Sequence, residues 1–186
     1  MGYEFVKVEK RDHISIVTIN RPEVYNAVHP PLSLELDQVW NEFIGDNEQW
    51  VAVLTGAGDK AFSAGNDLKY SAQPGKYKVQ QPKSGFAGLT NRFDRTKPII
   101  AAVNGFAMGG GMETALSCDI ILASENAKFA LPEVKVGFFA AAGGVQRLSR
   151  QIGKKAALDM ILTGRSVDAK EALKLGIVND VFSQSE

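Results

Sequence analysis

Two segments near the N-terminus alternate apolar and polar residues, which predicts a pair of strands. They read "YEFVKVEK" (3–10) and "HISIVTINRP" (13–22), they are rich in β-branched residues, and charged residues lie between them. Alternation over this length is typical of strands with one buried face. We therefore expect a β-hairpin whose second strand ends at Pro22, because proline cannot donate to the ladder.

The pattern then changes to helical spacing from Pro30 to about Ile44. Prolines stand at the start of this segment and Gly45 follows its end, which are the usual positions of these residues around a helix. The sequence predicts an amphipathic helix with its apolar face inward. The apolar positions that we assign to this core face are Leu32, Leu36, Val39, Trp40 and Phe43, and Trp50 further on is also expected in the core.

Three short, continuously apolar runs come next along the chain: "WVAVLTG" (50–56), "PIIAAVNG" (98–105) and "DIILAS" (119–124). Such runs are typical of strands covered on both faces. Helix-length segments between strands favour an α/β layer structure with parallel pairing and right-handed crossovers. Three further helices are predicted near the C-terminus, separated by glycines: Val145–Ile152, Lys154–Leu162 and Asp168–Leu175.

The polar segment 70–88, rich in Gly, Pro, Gln and Lys, has no clear period and predicts a mobile loop. Composition narrows the class of protein further. The 186 residues suit a single domain, 1–186, and 21 basic against 21 acidic residues leave no net charge to attract nucleic acid. No targeting or transmembrane segment is visible, so we expect a cytoplasmic protein without nucleic-acid or membrane partners.

Metal and disulfide chemistry is not expected. Cys118 is the only cysteine, and the two histidines, His13 and His29, are isolated from each other in the sequence. Cys118 lies in the apolar stretch "LSCDIIL" without a neighbouring histidine, which favours a core residue over a thiol nucleophile.

The stretch "AMGGGMETA" (107–115) places three glycines directly before a helix-like segment. One interpretation is a tight turn in which backbone segments pack closely. The other is a pocket at the helix start, where backbone N–H groups bind an oxygen that gains negative charge during a reaction. A side chain at Gly110 would obstruct such a pocket.

Two glutamates could serve that same pocket. If a helix begins near Gly110, Glu113 projects from the same side of its first turn. Glu133 follows Pro132, a position that is usually solvated, yet apolar residues surround it in "FALPEVKVG". Two carboxylates and backbone donors are suited to adding or removing water beside an activated carbonyl. In "KAFSAGNDLKY", Asp67 is expected to cap a short helix.

Taken together, these segments resemble the crotonase superfamily, and within it the enoyl-CoA hydratases. The similar segments follow the family's order over nearly the whole chain: 20–28, 53–69, 97–124, 127–137 and 142–179. The resemblance implies an α/β protein with the crotonase (ClpP-like) fold of repeated ββα units. It also implies that the family's C-terminal helical extension is missing from this chain.

The resemblance further implies an activity and a site. It is the reversible syn addition of water to a 2-enoyl-CoA, with coenzyme A as part of the substrate and no separate cofactor. Backbone N–H groups of Asn66 and Gly110 match the family's oxyanion hole, and Glu113 and Glu133 match its catalytic carboxylates. A homotrimer or a hexamer is implied if the C-terminal part is present. The residues that match the CoA-binding turn are Ala64, Gly65, Asp67, Leu68 and Lys69.

Two carboxylates around one water should differ in pKa. We expect the helix start to keep Glu113 ionised and the apolar neighbours of Glu133 to raise its pKa. As to roles, we expect Glu133 to deliver the proton and Glu113 to orient and activate the water.

The segment "GFFAAAGG" (137–144) departs from the pattern of many hydratases, which have a proline and a glycine there. Its residues Phe138 to Ala142 are expected to line the acyl end of the site, where the phenylalanines either shape an acyl pocket or pack in the core. Alternatives to a hydratase are a double-bond isomerase, another acyl-CoA lyase such as a carnitinyl-CoA dehydratase-like enzyme, or a non-catalytic crotonase-like scaffold.

Overall fold

Two β-sheets and six α-helices form the described part of the protein, residues 2–75 and 81–185 of a computed structural model. The strands are β1 (Val6–Arg11), β2 (Ile14–Ile19), β3 (Val51–Gly56), β4 (Ala61–Ser63), β5 (Ile99–Val103), β6 (Phe106–Met108), β7 (Ile120–Ser124), β8 (Lys128–Ala130), β9 (Ser166–Asp168) and β10 (Asp180–Phe182). The helices are α1 (Pro30–Gly45), α2 (Leu68–Ser71), α3 (Gly110–Ala115), α4 (Gly144–Gln151), α5 (Lys154–Thr163) and α6 (Ala169–Leu175).

The larger sheet has the strand order β1-β2-β3-β5-β7-β10. β1 and β2 pair antiparallel, with Val8 opposite Val17, so the predicted hairpin is confirmed. The other neighbours pair in parallel, as the continuous apolar runs predict. β3 and β5 contain no exposed residue, since alternate positions are buried or half-buried, which agrees with strands covered on both faces.

The second sheet, with the order β4-β6-β8-β9, was not predicted. Its strands have only three residues each, too few to show a period. The chain enters the two sheets alternately: β3, β5 and β7 join the larger sheet, and β4, β6 and β8 follow them in the smaller one. A helical segment comes after each of these pairs, so the implied ββα repeat is present.

Helix α1 covers the larger sheet with the predicted face. All five of its predicted core side chains are buried, and His29 caps the helix by accepting a hydrogen bond at Nδ1 from the Leu32 N–H, 3.3 Å. The prediction for Trp50 was wrong, because its side chain is 61% exposed and stacks on His13 with a ring distance of 3.7 Å. Trp50 directly precedes β3, so it lies outside the covered part of the sheet.

The three C-terminal helices lie within one residue of their predicted bounds, with Asp168 as the N-cap of α6 instead of its first residue. The segment 70–88 differs from the prediction. Residues 76–80 lie outside the described residues, but Phe86–Gly88 form a 3₁₀ turn packed against α1. Ala87 is buried there, where its carbonyl accepts from the Trp40 indole N–H at 3.1 Å. The end of this segment is therefore part of the core.

Among the helices of the described residues, none combines the length and the apolar character that crossing a membrane requires.

Candidate active site

At each of the three consecutive glycines a side chain would collide with a different neighbour. Gly109 has a positive φ of 53°, and a Cβ built there would lie 2.8 Å from Glu133 Oε1. A Cβ at Gly111 would lie 2.2 Å from the Ser63 carbonyl oxygen. At Gly110 a Cβ would meet the Phe86 ring at 2.6 Å. The glycines therefore allow close packing at this turn, as the first of the two interpretations predicts, and Gly110 itself is buried.

The backbone N–H groups of Asn66 and Gly110 stand at neighbouring points of this turn. Gly65 brings the two segments together, since a Cβ at Gly65 would lie only 2.8 Å from the Gly110 nitrogen. Gly110 is the first residue of α3, where an N–H has no intrahelical partner. Within residues 2–75 and 81–185, neither the Asn66 N–H nor the Gly110 N–H donates a backbone hydrogen bond. Both N–H groups therefore lack a backbone acceptor among these residues.

Glu113 lies in the first turn of α3 and is 4% exposed. Its Oε1 accepts a hydrogen bond of 2.8 Å from the backbone N–H of Gly144, the first residue of α4. Gly144 is close because it has no side chain: a Cβ there would lie 3.0 Å from Glu113 Oε1. The carboxylate is therefore held between the N-terminal ends of two helices, where a negative charge is favourable.

Glu133 lies in the 3₁₀ turn Pro132–Val136 and is half-buried. Its Oε1 is directed at Gly109, and its Oε2 is buried without a hydrogen-bond partner among the described residues. A buried carboxylate oxygen without a partner costs free energy, unlike most buried polar atoms. Glu133 Oε2 is therefore a candidate for a role in binding or chemistry.

The pKa values of both glutamates are raised. Burial raises the pKa of Glu113 to about 7, with a further contribution from the charge of Glu133, and against the lowering effects of the Gly144 N–H and of Arg147. Burial also raises the pKa of Glu133, as predicted. The expectation that the helix start keeps Glu113 ionised was wrong for neutral pH, because desolvation outweighs the helix ends and the hydrogen bond and raises its pKa to about 7.

The segment 64–69 runs from an exposed Ala64 through the buried Gly65 to the exposed side chains of Leu68 and Lys69. Asp67 caps α2, as predicted: its Oδ1 accepts from the Tyr70 N–H at 2.9 Å. Its Oδ2 pairs with Arg21 Nη1 at 2.9 Å. Burial acts to raise the pKa of Asp67, but the Tyr70 N–H and Arg21 outweigh it and lower the pKa. The side chain of Asp67 thus stabilises the turn.

Phe138 and Phe139 do not pack in the core. They are 71% and 66% exposed, and they border a cavity of about 110 Å³ together with Glu133 and Leu162. The space corresponds to roughly three or four water molecules in the liquid, at about 30 Å³ each. Of the two interpretations of this segment, core packing is wrong, and the position beside Glu133 agrees with an acyl pocket.

Three residues near the site were not identified from the sequence: Phe86 on Gly110, Gly144 on Glu113, and Arg147, which lies close to Glu113. Gly143 and Gly144 at the start of α4 resemble the glycines at the start of α3. This similarity could have indicated a second helix start at the site. Phe86 lay in the segment predicted as a loop, which carried no such signal.

The remaining polar candidates lie elsewhere. Burial raises the pKa of Cys118 to about 12, which leaves its thiol protonated and unreactive. In the part of the chain that the structure describes, no three His, Cys, Asp or Glu side chains are grouped so that they could hold a metal ion.

Residues 9–186 match the sequence family described as enoyl-CoA hydratase/isomerase. The chain is 48% identical over 168 residues to a carnitinyl-CoA dehydratase from Citrobacter koseri, covering 90% of this chain and 64% of that protein. It is 43% identical over 180 residues to an (E)-benzylidenesuccinyl-CoA hydratase from Thauera aromatica, covering 97% and 70% of the two chains.

A solved structure of an enoyl-CoA hydratase from Mycobacterium tuberculosis H37Rv superimposes with a TM-score of 0.88 at 40% identity, covering 97% of this chain and 69% of the other. The chain therefore belongs to the enoyl-CoA hydratase/isomerase family, and the predicted crotonase fold is confirmed. It spans about two thirds of the length of these relatives.

Proposed function

We propose that this chain carries the active site of an enoyl-CoA hydratase, a hydro-lyase that reversibly adds water, with syn geometry, to a 2-enoyl-CoA thioester. The observation that carries the proposal is the convergence of Glu113 and Glu133 on the turn that presents the free N–H groups of Asn66 and Gly110. Relatives named as hydratases and a dehydratase support the same reaction type. Buried carboxylates in a cleft would only destabilise a non-catalytic scaffold.

The proposed mechanism begins at the thioester carbonyl. Its oxygen accepts hydrogen bonds from the Asn66 and Gly110 N–H groups, which stabilise the enolate-like charge by about 3 to 4 kcal/mol per well-placed donor. This polarisation makes the β-carbon electrophilic. Coenzyme A enters and leaves as part of the substrate, and the reaction as written needs no separate cofactor.

The two glutamates then handle one water. Glu113 orients the water in its ionised form, which prevails above its pKa of about 7, and the oxygen of that water bonds to the β-carbon. Protonated Glu133 delivers its proton to the α-carbon from the same face and takes a proton from the adding water in return. One O–H bond of the water and the C=C π bond of the thioester break, one C–O and one C–H bond form, and both glutamates end in their starting states. Burial raises the pKa of Glu133, which favours the protonated form that this step requires.

The CoA moiety is proposed to lie along the segment 64–69. Ala64, Gly65, Leu68 and Lys69 would contact it, and Asp67 would contribute by fixing the turn through Arg21 and the Tyr70 N–H. Lys69 is exposed and cationic, which suits a phosphate.

The test is the ultraviolet absorbance of crotonyl-CoA, with products identified by mass. Loss of the enoyl absorbance together with a gain of one water in mass is expected. Movement of a double bond in a longer enoyl-CoA without any gain in mass would instead indicate an isomerase. Binding of the thioester without turnover of any enoyl-CoA would favour the scaffold and contradict the proposal.

A second candidate substrate is a carnitinyl-CoA, and the exposed rings of Phe138 and Phe139 beside Glu133 favour it. The carnitinyl group carries a quaternary ammonium, and aromatic faces are common binding partners of such cations. In this reaction the enzyme would work in the direction of dehydration. The family relative named for this activity is consistent with the idea.

We predict that Phe138→Leu and Phe139→Leu lower kcat/KM for carnitinyl-CoA more than for 3-hydroxybutyryl-CoA, which lacks the ammonium. A lost cation–π contact of about 0.5 to 2 kcal/mol corresponds to roughly a 2- to 30-fold change in this ratio. Leucine keeps the surface apolar but has no aromatic face. A general loss of packing would lower kcat/KM for both substrates equally and leave their ratio unchanged. Steady-state dehydration kinetics with both thioesters measure the ratio, and an unchanged ratio would exclude a role of the rings in substrate choice.

We also propose a homotrimer, or a hexamer built from two trimers, for the protein with the family's C-terminal helices, and a cytoplasmic location. Exposed apolar side chains near the site, among them Val136 and Leu162, support an assembly that covers them. Sedimentation equilibrium of the protein would give the subunit number.

A further inference from the structure

We propose that Arg147 is a positioning residue, which rests on the proposed hydratase function: it joins the loop that holds Glu113 to the turn that covers Gly110. Nothing in the sequence distinguished this arginine from others on the C-terminal helices. Its place in α4, one turn after Gly144, puts its side chain beside both halves of the site.

The first contact of Arg147 is with the loop that holds Glu113. Its Nη1 donates to the Ala142 carbonyl at 3.2 Å. The loop fits tightly around the guanidinium, since a Cβ at Gly143 would lie 1.9 Å from Nη1. Gly143 has a φ of 105°, a conformation suited to glycine. The next residue, Gly144, donates to Glu113, so Arg147 fixes the donor of the Glu113 carboxylate.

The second contact is with the turn over the oxyanion donor. Arg147 Nη2 donates to the Thr90 carbonyl at 2.6 Å. The Thr90 hydroxyl in turn accepts from the Phe86 N–H at 2.9 Å, and the Phe86 ring lies on Gly110. One planar guanidinium with donors in a fixed geometry therefore connects Glu113 with the oxyanion donor.

The charge of Arg147 acts on Glu113 as well. In the described residues Arg147 has no carboxylate partner within salt-bridge distance, although Arg95 nearby pairs with Asp119 at 2.6 Å. Burial lowers the pKa of Arg147 and the charge of Glu113 opposes this. The guanidinium is close enough to favour ionised Glu113, the state that orients the water.

Two charged side chains act on Glu113. Glu133 faces Glu113 from the turn 132–136, and Arg147 faces it from α4. Strands β4 and β6 and the turn Phe86–Gly88 bring no titratable side chain. Arg95 and Cys118 act on Arg147, and Cys118 remains neutral because burial raises its pKa to about 12.

The experiment compares Arg147→Met, Arg147→Lys and the control Arg150→Met on the same helix, whose side chain is exposed. Two quantities are measured: the pKa of Glu113 by carboxyl ¹³C NMR, assigned with Glu113→Gln, and the pH dependence of kcat for hydration. Arg147→Met is expected to raise the pKa of Glu113, through loss of the neighbouring positive charge that lowers it. The acid limb of the activity profile should move to higher pH by the same amount.

Arg147→Lys separates charge from geometry. It is expected to leave the pKa of Glu113 nearly unchanged and to lower kcat several-fold, because lysine cannot reach both carbonyls with a planar fork. Arg150→Met should change neither quantity. If Arg147→Met does not fold, the Arg147→Lys result still decides: full kcat in this variant would overturn the proposal.

Two further results would contradict the proposal, and one would separate it from the proposed function. An unmoved Glu113 titration in Arg147→Met, or an equal shift in Arg150→Met, would also overturn the proposal. If the wild-type protein does not hydrate enoyl-CoA but the NMR shift appears, the proposed function fails and the placement of Arg147 stands.

Discussion

Glu133→Gln is expected to lower kcat for hydration by about 10²- to 10⁴-fold, the usual contribution of a positioned acid or base. Glutamine keeps the size of the side chain and its place beside Gly109, but it cannot hold and return a proton. Glu133 Oε2 has no hydrogen-bond partner in the described structure. The substitution should therefore reduce the rate of hydration and leave the stability of the fold nearly unchanged. KM for crotonyl-CoA should change little, since the thioester is held by backbone donors.

The measurement is steady-state absorbance kinetics with crotonyl-CoA, with Glu125→Gln as the control. Glu125 is exposed and its backbone N–H donates to Phe182, so its side chain serves no comparable purpose. Glu113→Gln should be impaired to a similar degree, and the double variant little more, because residues that act on one water are not additive. Activity of Glu133→Gln within fivefold of the wild type would contradict the assigned role.

The second large effect is a gain: substitution of Glu113 is expected to increase the stability of the fold. Glu113 has a pKa of about 7 in the folded protein, above the ordinary value of 4.5. Between these pH values the folded state binds more protons than the unfolded state, so stability falls as pH rises. The loss is absent below pH 4.5 and complete above about pH 7, where it reaches about 3 kcal/mol from this shift in pKa.

Glu113→Gln removes this titration. We therefore expect the variant to gain stability relative to the wild type by about 2.5 kcal/mol between pH 5 and pH 8. Urea unfolding at pH 5 and pH 8 measures the free energy of unfolding of each protein. The control Glu125→Gln is expected to show the same pH dependence as the wild type. Parallel curves for Glu113→Gln as well would show that Glu113 titrates normally. A variant that is more stable at pH 8 but inactive would show that activity here costs stability.

The elements with a long period could be predicted from sequence. Helix α1 has sixteen residues and a complete apolar face, and the parallel strands are continuous apolar runs. The smaller sheet could not be predicted, because three-residue strands carry no period and are defined by neighbours such as Phe129, whose partner in β9 is Val167, distant in sequence. Trp50 was misplaced because size and apolarity indicate burial only on average.

The site was predicted in its parts more than in its electrostatics. The glycines, Glu113, Glu133 and the capping role of Asp67 stand out locally in sequence. Whether Glu113 is charged depends on how deeply it is buried under Gly144 and the α4 terminus, and both come from residues about 30 positions away. The helix start by itself only favours the charge, so the residues next to Glu113 do not reveal the burial that opposes it.

The packing of Trp40 gives the protein an optical reporter. Its indole donates to Ala87, the residue next to the Phe86 ring that lies on Gly110. The only other tryptophan, Trp50, is exposed and stacked on His13. Trp50→Phe would leave Trp40 as the one fluorescent tryptophan. Trp40 is buried beside the turn Phe86–Gly88, so its emission would be sensitive to any displacement of Phe86. Its fluorescence would then follow the arrival of a thioester, even one too unreactive to be converted.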